Sequence, residues 1–249
     1  MDYFHYIIAT LSFVASFVFA LGGVGTALVV VPILVSFGVP LNVAKSVALF
    51  NNGTSMISAS VSNFRNGRLD LKFSIPFIIS SVLFSIVGAY ISKFFPTHVI
   101  LLIFVVFLIV SGFIFLFLGR KEDAVYRDDS PFVLLFLVGS FAGALAGLIG
   151  IGGGSVISPI MLLLGFNPKK TTTVTAFVIP FSSFSAFITY WAMGSVDWTL
   201  IAIVSVFGIA GATLGTSFMH KRLNPKAVKK VLAFILLGMA IKLIYQIYF

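Results

Sequence analysis

The sequence has 249 residues, 59% of them hydrophobic and 9% charged, with 29 phenylalanines and a formal net charge of +9. That composition lies far outside the soluble range and points to an integral membrane protein. Cysteine is absent, which excludes disulfides and thiolate metal sites, and three histidines, all near the ends of apolar runs, are poor material for a metal centre. Neither a metal nor a cofactor is implied. The basic residues sit between apolar runs rather than along one helical face, which fits membrane orientation and not a nucleic-acid partner.

Apolar segments are predicted at roughly 4–21, 26–37, 46–63, 71–92 and 99–118, then at 132–149, 154–165, 173–192, 198–219 and 228–248. They are continuous runs rather than alternating ten-residue strands, so the fold class is an all-α integral membrane protein. The first run is expected to be a retained span and not a signal peptide, because Met1-Asp2-Tyr3 supplies no basic residue ahead of it. Segments two and seven are too short to cross a core of ~30 Å, so ten spans, or six spans plus two re-entrant hairpins, both remain open.

The second half repeats the first at an offset of 127, as in Gly150 against Gly23. Ser12, Ser16 and Ala20 fall under Gly139, Gly143 and Gly147, a small-residue stripe that lets helices approach closely. Pro32 falls under Pro159, Gly38 under Gly165, and Gly88 under Gly215. This organises the chain as a first membrane repeat (1–119), a cytoplasmic linker (120–130) and a second membrane repeat (131–249). Each repeat holds an odd number of segments, so the two are expected to be inverted. With the N-terminus outside, twelve basic residues fall inside (Arg65, Arg68, Arg120, Lys121, Arg127, Lys169, Lys170, Lys221, Arg222, Lys226, Lys229, Lys230). Only Lys45, Lys93 and Lys242 fall outside, and Lys72 lies just within a span, so both termini are expected outside the cytoplasmic membrane.

The chemistry concentrates at two glycine clusters. Gly150, Gly152, Gly153 and Gly154, followed by Ser155, break an apolar run, and a short segment with Pro159 in its first turns restarts after them. Gly22, Gly23 and Gly25 form the matching break, with Thr26-Ala27 in place of Gly153-Gly154. A helix N-terminus restarting at mid-depth presents bare N–H groups suited to an anion. The third segments of both halves begin with polar side chains. Among these, Asn51, Asn52, Ser55, Thr175 and Ser182 are candidate substrate ligands, and the two adjacent asparagines are the costliest to bury unsatisfied. Gly153 is expected to need a positive φ. Lys45 reads either as a snorkelling surface lysine or as a lure for anions at the outer mouth. Asp70 and Asp197, each just before a span, read as helix caps. No carboxylate falls within a span to relay protons, and no histidine stands near Ser155 to activate it as a nucleophile, so an enzyme is not expected.

Several of these features together resemble the sulfite exporter TauE/SafE family of membrane transporters. They are Gly150-Ile151-Gly152-Gly153-Gly154 with Pro159, Gly22-Gly23-Val24-Gly25 with Pro32, the Gly194-Ser195-Val196-Asp197-Trp198 turn and the Gly211-Ala212-Thr213-Leu214-Gly215 stripe. The resemblance spans nearly the whole chain and implies export or uptake of sulfite, thiosulfate, sulfonates or related small anions by a secondary transporter. A passive anion channel is the alternative. The expected partners are a small anionic substrate and the lipid bilayer, with a homodimer also compatible.

Overall fold

The computed structural model describes residues 3–65, 67, 69–117, 126–127, 129–222 and 225–248. Most of the expected linker, and with it Arg120, Lys121 and also Arg68, lies outside the described residues. The helices are α1 (Tyr3–Gly22), α2 (Ala27–Ser36), α3 (Leu41–Arg65), α4 (Leu71–Ile91), α5 (Thr97–Phe117), α6 (Phe132–Ile149), α7 (Gly153–Leu163), α8 (Pro168–Ala192), α9 (Trp198–Arg222) and α10 (Pro225–Tyr248). Seven of them are long and apolar enough to cross a membrane. The short helices α2 and α7 have ten and eleven residues, roughly 15 and 16 Å, about half of a hydrocarbon core.

Helices α3 and α8 begin about five residues before their apolar runs. Hydropathy marks the stretch that tolerates lipid, whereas cap chemistry marks where the helix starts. Asn167 accepts the Lys169 N–H (2.9 Å) and Pro168 occupies the first turn, so the polar Lys169 to Thr172 stretch is already helical. Both expected acidic caps are present: Asp70 accepts the Phe73 N–H and Asp197 the Leu200 N–H, each at 3.0 Å.

The offset of 127 reappears as packing. Ser12 Oγ donates to the Val204 carbonyl, while Gly139 lies against Phe77; Ser16 faces Gly208, while Gly143 faces Ser81; Phe17 lies on Gly215, while Ala144 lies on Gly88. Adding 127 to the α1 member and subtracting 127 from the α9 member of each α1–α9 pair gives the α4–α6 pair. At Gly211 and Gly215 an added Cβ would strike the Phe13 and Phe17 carbonyls, so these glycines set how closely α9 approaches α1.

The same contacts give directions. Along α1 and α9 the pairs run from Phe13 with Gly211 to Phe17 with Gly215, so the two helices are parallel. Along α3 and α8, Phe50 meets Phe187, Gly53 meets Phe184 and Ser60 meets the Ala176 carbonyl, so these equivalent helices are antiparallel. It follows that α1 and α2 leave one end of the bundle and return to it. Phe4 packs on Phe37 and Gln246 Nε2 donates to the Val35 carbonyl (2.9 Å), which gathers the N-terminus, the α2–α3 turn and the C-terminal end of α10 there. The opposite end holds Arg127, whose N–H pairs with the Gly165 carbonyl, and the Asp70–Lys170 ion pair (3.1 Å).

Candidate functional site

The two breaks are built differently. In the second, α6 stops where Gly150 turns left-handed (φ +84°), and the Gly150 and Ile151 N–H groups share the Ala146 carbonyl. Gly152 is left-handed again (φ +77°) and immediately precedes α7. A side chain at Gly152 would be strained by that φ, and its Cβ would overlap Ser183 Oγ and crowd Asn52 Nδ2. In the first break Gly23 matches Gly150 (φ +62°), but Gly25, the partner of Gly152, does not have a positive φ. The Thr26-Ala27 departure therefore coincides with a different backbone path. The positive φ expected at Gly153 is carried by Gly152 instead, because Gly153 is already the first residue of α7. Pro159 is the seventh residue of α7 and Pro32 the sixth of α2, not first-turn residues. Each removes the donor for the carbonyl four residues back, at Ser155 and Leu28, and so loosens a helix that is already short.

Both breaks converge on Asn52, the twelfth of the 25 residues of α3 and thus halfway along it. Its Oδ1 accepts the Thr26 N–H (2.7 Å) at the start of α2. Its Nδ2 donates to the Ile151 carbonyl (3.0 Å) just before α7 and to Ser183 Oγ (3.0 Å) on α8. One side chain thus ties α2, the second break and α8 together. Asn51 Nδ2 donates to Thr26 Oγ1 (3.0 Å), and Ser55 Oγ donates to Asn51 Oδ1 (3.1 Å). In the other half the Gly153 N–H donates to Ser182 Oγ (2.9 Å), and Ser155 Oγ to the Ile151 carbonyl (3.0 Å). A Cβ at Gly25 would lie 2.5 Å from both Asn52 Oδ1 and Ser155 Oγ, so the absence of that atom lets the N-termini of α2 and α7 meet.

Gly25, Thr26, Asn51, Asn52, Ser55, Gly152, Gly153, Ser155 and Ser182 thus form one buried cluster. The remaining sequence candidates lie around it. Gly22 closes α1, the Gly23 carbonyl accepts from Thr175 Oγ1 (3.1 Å), and Gly154 packs α7 on Ile179 and the Thr175 carbonyl of α8. Gly150 packs on Lys45. Lys45 is 0% exposed, which overturns the snorkelling reading: its stem is held by the second break and its ammonium lies 5.3 Å from the Tyr190 ring centroid. Its repeat partner Thr172 packs on Gly23 in the same way.

Sequence reasoning missed three contributors. The Ile151 carbonyl carries no residue signature. Ser183 looked no different from its neighbours. Tyr190, whose hydroxyl lies within hydrogen-bond reach of Ser92 Oγ (3.0 Å) and the Gly147 carbonyl (2.9 Å), has no sequence signal that sets it apart from other membrane aromatics.

The arrangement brings together two helix N-termini and several amide and hydroxyl donors, all of them buried and bonded to one another or to nearby carbonyls. In the conformation described, the Thr26 and Gly153 N–H groups are held by neutral oxygens that a charged ligand could replace with a stronger bond. Comparison with known proteins gives a family model described as "Sulfite exporter TauE/SafE" matching residues 8–243. A "Probable membrane transporter protein" of Bacillus subtilis is 28% identical, with 96% of this chain and 97% of that protein aligned. Another so described, from Methanocaldococcus jannaschii, is 27% identical over 90% of this chain and 89% of its own. A "Sulfite exporter TauE/SafE family protein" of Arabidopsis thaliana is 38% identical over a shorter stretch, 41% of this chain and 24% of that protein.

Proposed function

Because the chain belongs to the sulfite exporter TauE/SafE family and is a multi-pass membrane transporter, we propose that it carries a small sulfur-containing anion such as sulfite, thiosulfate or an organosulfonate. Export across the cytoplasmic membrane is the direction the family description suggests. The observation that carries the site assignment is the meeting of the two broken helices at Asn52, at the midpoint of α3. The anion binds there by taking the Thr26 and Gly153 N–H groups from Asn52 Oδ1 and Ser182 Oγ. Nothing in this chemistry calls for catalysis, and we read the protein as a carrier and not an enzyme.

The repeats, taken as 1–119 and 131–249 about a cytoplasmic linker, are inverted in this reading. The antiparallel run of α3 against its equivalent α8 supports this, as does the grouping of both termini at one bundle end. That end faces outward and the end carrying Arg127 and Lys170 faces the cytoplasm. Alternation is a rocking of one repeat against the other, which must break the Asn52 links between them.

The test is uptake of labelled thiosulfate and sulfite into proteoliposomes. Saturation at low concentration together with counterflow supports the carrier. Ohmic anion currents without counterflow overturn it in favour of a passive channel. Absence of any sulfur-anion flux overturns the substrate class.

A further inference from the structure

Lys45 is a basic side chain whose position has no internal explanation. It is fully buried in α3 seven residues before Asn52, nearly two turns, so both side chains stand on one face about 10 Å apart along the axis. That face carries the second glycine break: Gly150 lies on the Lys45 stem and Gly152 against Asn52. Among the described residues no carboxylate pairs with Lys45, since the two ion pairs are Arg127–Asp129 and Lys170–Asp70. An ammonium has three donors, and its one acceptor is Asn42 Oδ1 at a long 3.5 Å. The Tyr190 ring offers its face but no charge, and the Tyr190 hydroxyl lies against Ser92 Oγ and the Gly147 carbonyl. A buried cation is costly unless an anion compensates it.

The repeat sharpens the point. Thr172 occupies the equivalent place against Gly23, so the fold accepts a threonine there and does not need a lysine to pack a left-handed glycine. The long charged side chain is an addition on one half only.

We propose that Lys45 is the counter-charge for the transported anion, a second station beside Gly150 that receives the anion from the Asn52 crossing on its way to the bundle end holding the termini. The ligand class is a compact oxyanion, sulfonate or thiosulfate, with oxygens to accept the uncommitted N–H donors. This rests on the carrier reading above and adds a second station to it.

The experiment compares purified wild type, Lys45→Thr, Lys45→Met and Lys45→Arg in the binding of labelled thiosulfate, of methanesulfonate and of its neutral analogue methanesulfonamide. Losing one charge-assisted contact should weaken thiosulfate and methanesulfonate binding roughly 10- to 100-fold in Lys45→Thr, whereas Lys45→Arg stays within a few-fold. Methanesulfonamide binding should be unchanged, so the charge selectivity collapses; a lysine that only shaped the site would lower both ligands alike. Lys45→Thr copies what the other half already tolerates, and Lys45→Met is the second variant should it fold poorly. Variants that bind all three ligands like wild type overturn the inference and leave the carrier reading intact. Wild type that binds methanesulfonate no better than methanesulfonamide overturns it without any variant. Wild type that neither binds nor transports a sulfur anion overturns the carrier reading, and this inference with it.

Discussion

Asn52→Ala is the most informative perturbation of the crossing. It removes the three short hydrogen bonds of Asn52 at once, leaving aside the long one from Thr26 Oγ1: the cap on the Thr26 N–H, the donor to the Ile151 carbonyl and the link to Ser183 Oγ. Side-chain hydrogen bonds between membrane helices average about 0.6 kcal/mol, so the three together contribute about 2 kcal/mol. Loss of a cap costs about 1 kcal/mol by itself, which places the total at about 2–3 kcal/mol. Reversible unfolding in mixed detergent micelles should register that loss, and Ser183→Ala, which removes one of the three, should cost about a third as much. Asn52→Asp separates stability from transport. A carboxylate keeps the acceptor for Thr26 but opposes the Ile151 carbonyl and places negative charge between the two helix N-termini, so thiosulfate binding should vanish while the folded protein remains. An Asn52→Ala protein within about 0.5 kcal/mol of wild type and with wild-type counterflow would refute the assignment of Asn52 as the hub.

At the breaks, Gly152→Ala should abolish transport in protein that still folds, because it forces an L-residue to φ +77° and drives its Cβ onto Ser183. Gly215→Val should instead lower folded yield by pushing into the Phe17 carbonyl, as size-exclusion profiles would reveal. For Asp70, burial alone would raise the carboxyl, but the Phe73 N–H and the Lys170 ammonium together hold it below its ordinary value. A depressed folded-state value gives stability that is present above the unfolded value and lost as pH falls through the folded one. Asp70→Asn should therefore be the less stable protein at neutral pH, with the gap closing as pH falls below roughly 4 in melting curves. Cysteines placed at Tyr3 and at Tyr126 should label from opposite sides with an impermeant reagent, and same-side labelling would overturn the proposed orientation.

The repeat was legible because it is written in residues whose sizes decide packing: Ser12 and Gly139, and Ser16 and Gly143, meet neighbours related by the same offset. The buried cluster was legible in its residue types, since glycines break helices and buried asparagines must find partners. What the sequence could not show was which partner. The Ile151 carbonyl is backbone, Ser183 is one hydroxyl among several, and the choice of Gly152 over Gly153 as the strained residue depends on where α7 takes its first turn. Lys45 had two readings for the opposite reason: a lone lysine near a span end is normally a surface residue, and only the helix crossing that buries it removes that one of the two.

In a carrier made of two related halves, the inward- and outward-facing states arise by the halves exchanging conformations, and perfect symmetry would make those states equal in energy. Asn52 breaks that equality. Its repeat partner is Ile179, which offers no hydrogen bond, so the three contacts that Asn52 makes here have no counterpart when the halves trade places. Even one unmatched contact of about 0.6 kcal/mol tilts the populations by about threefold. In the proposed carrier the empty protein is therefore a biased switch with a preferred resting side, and an anion that displaces Asn52 from the Thr26 N–H removes part of the bias at the moment it binds. Cargo would then speed the very step that the unliganded carrier resists, which keeps idle cycling slow.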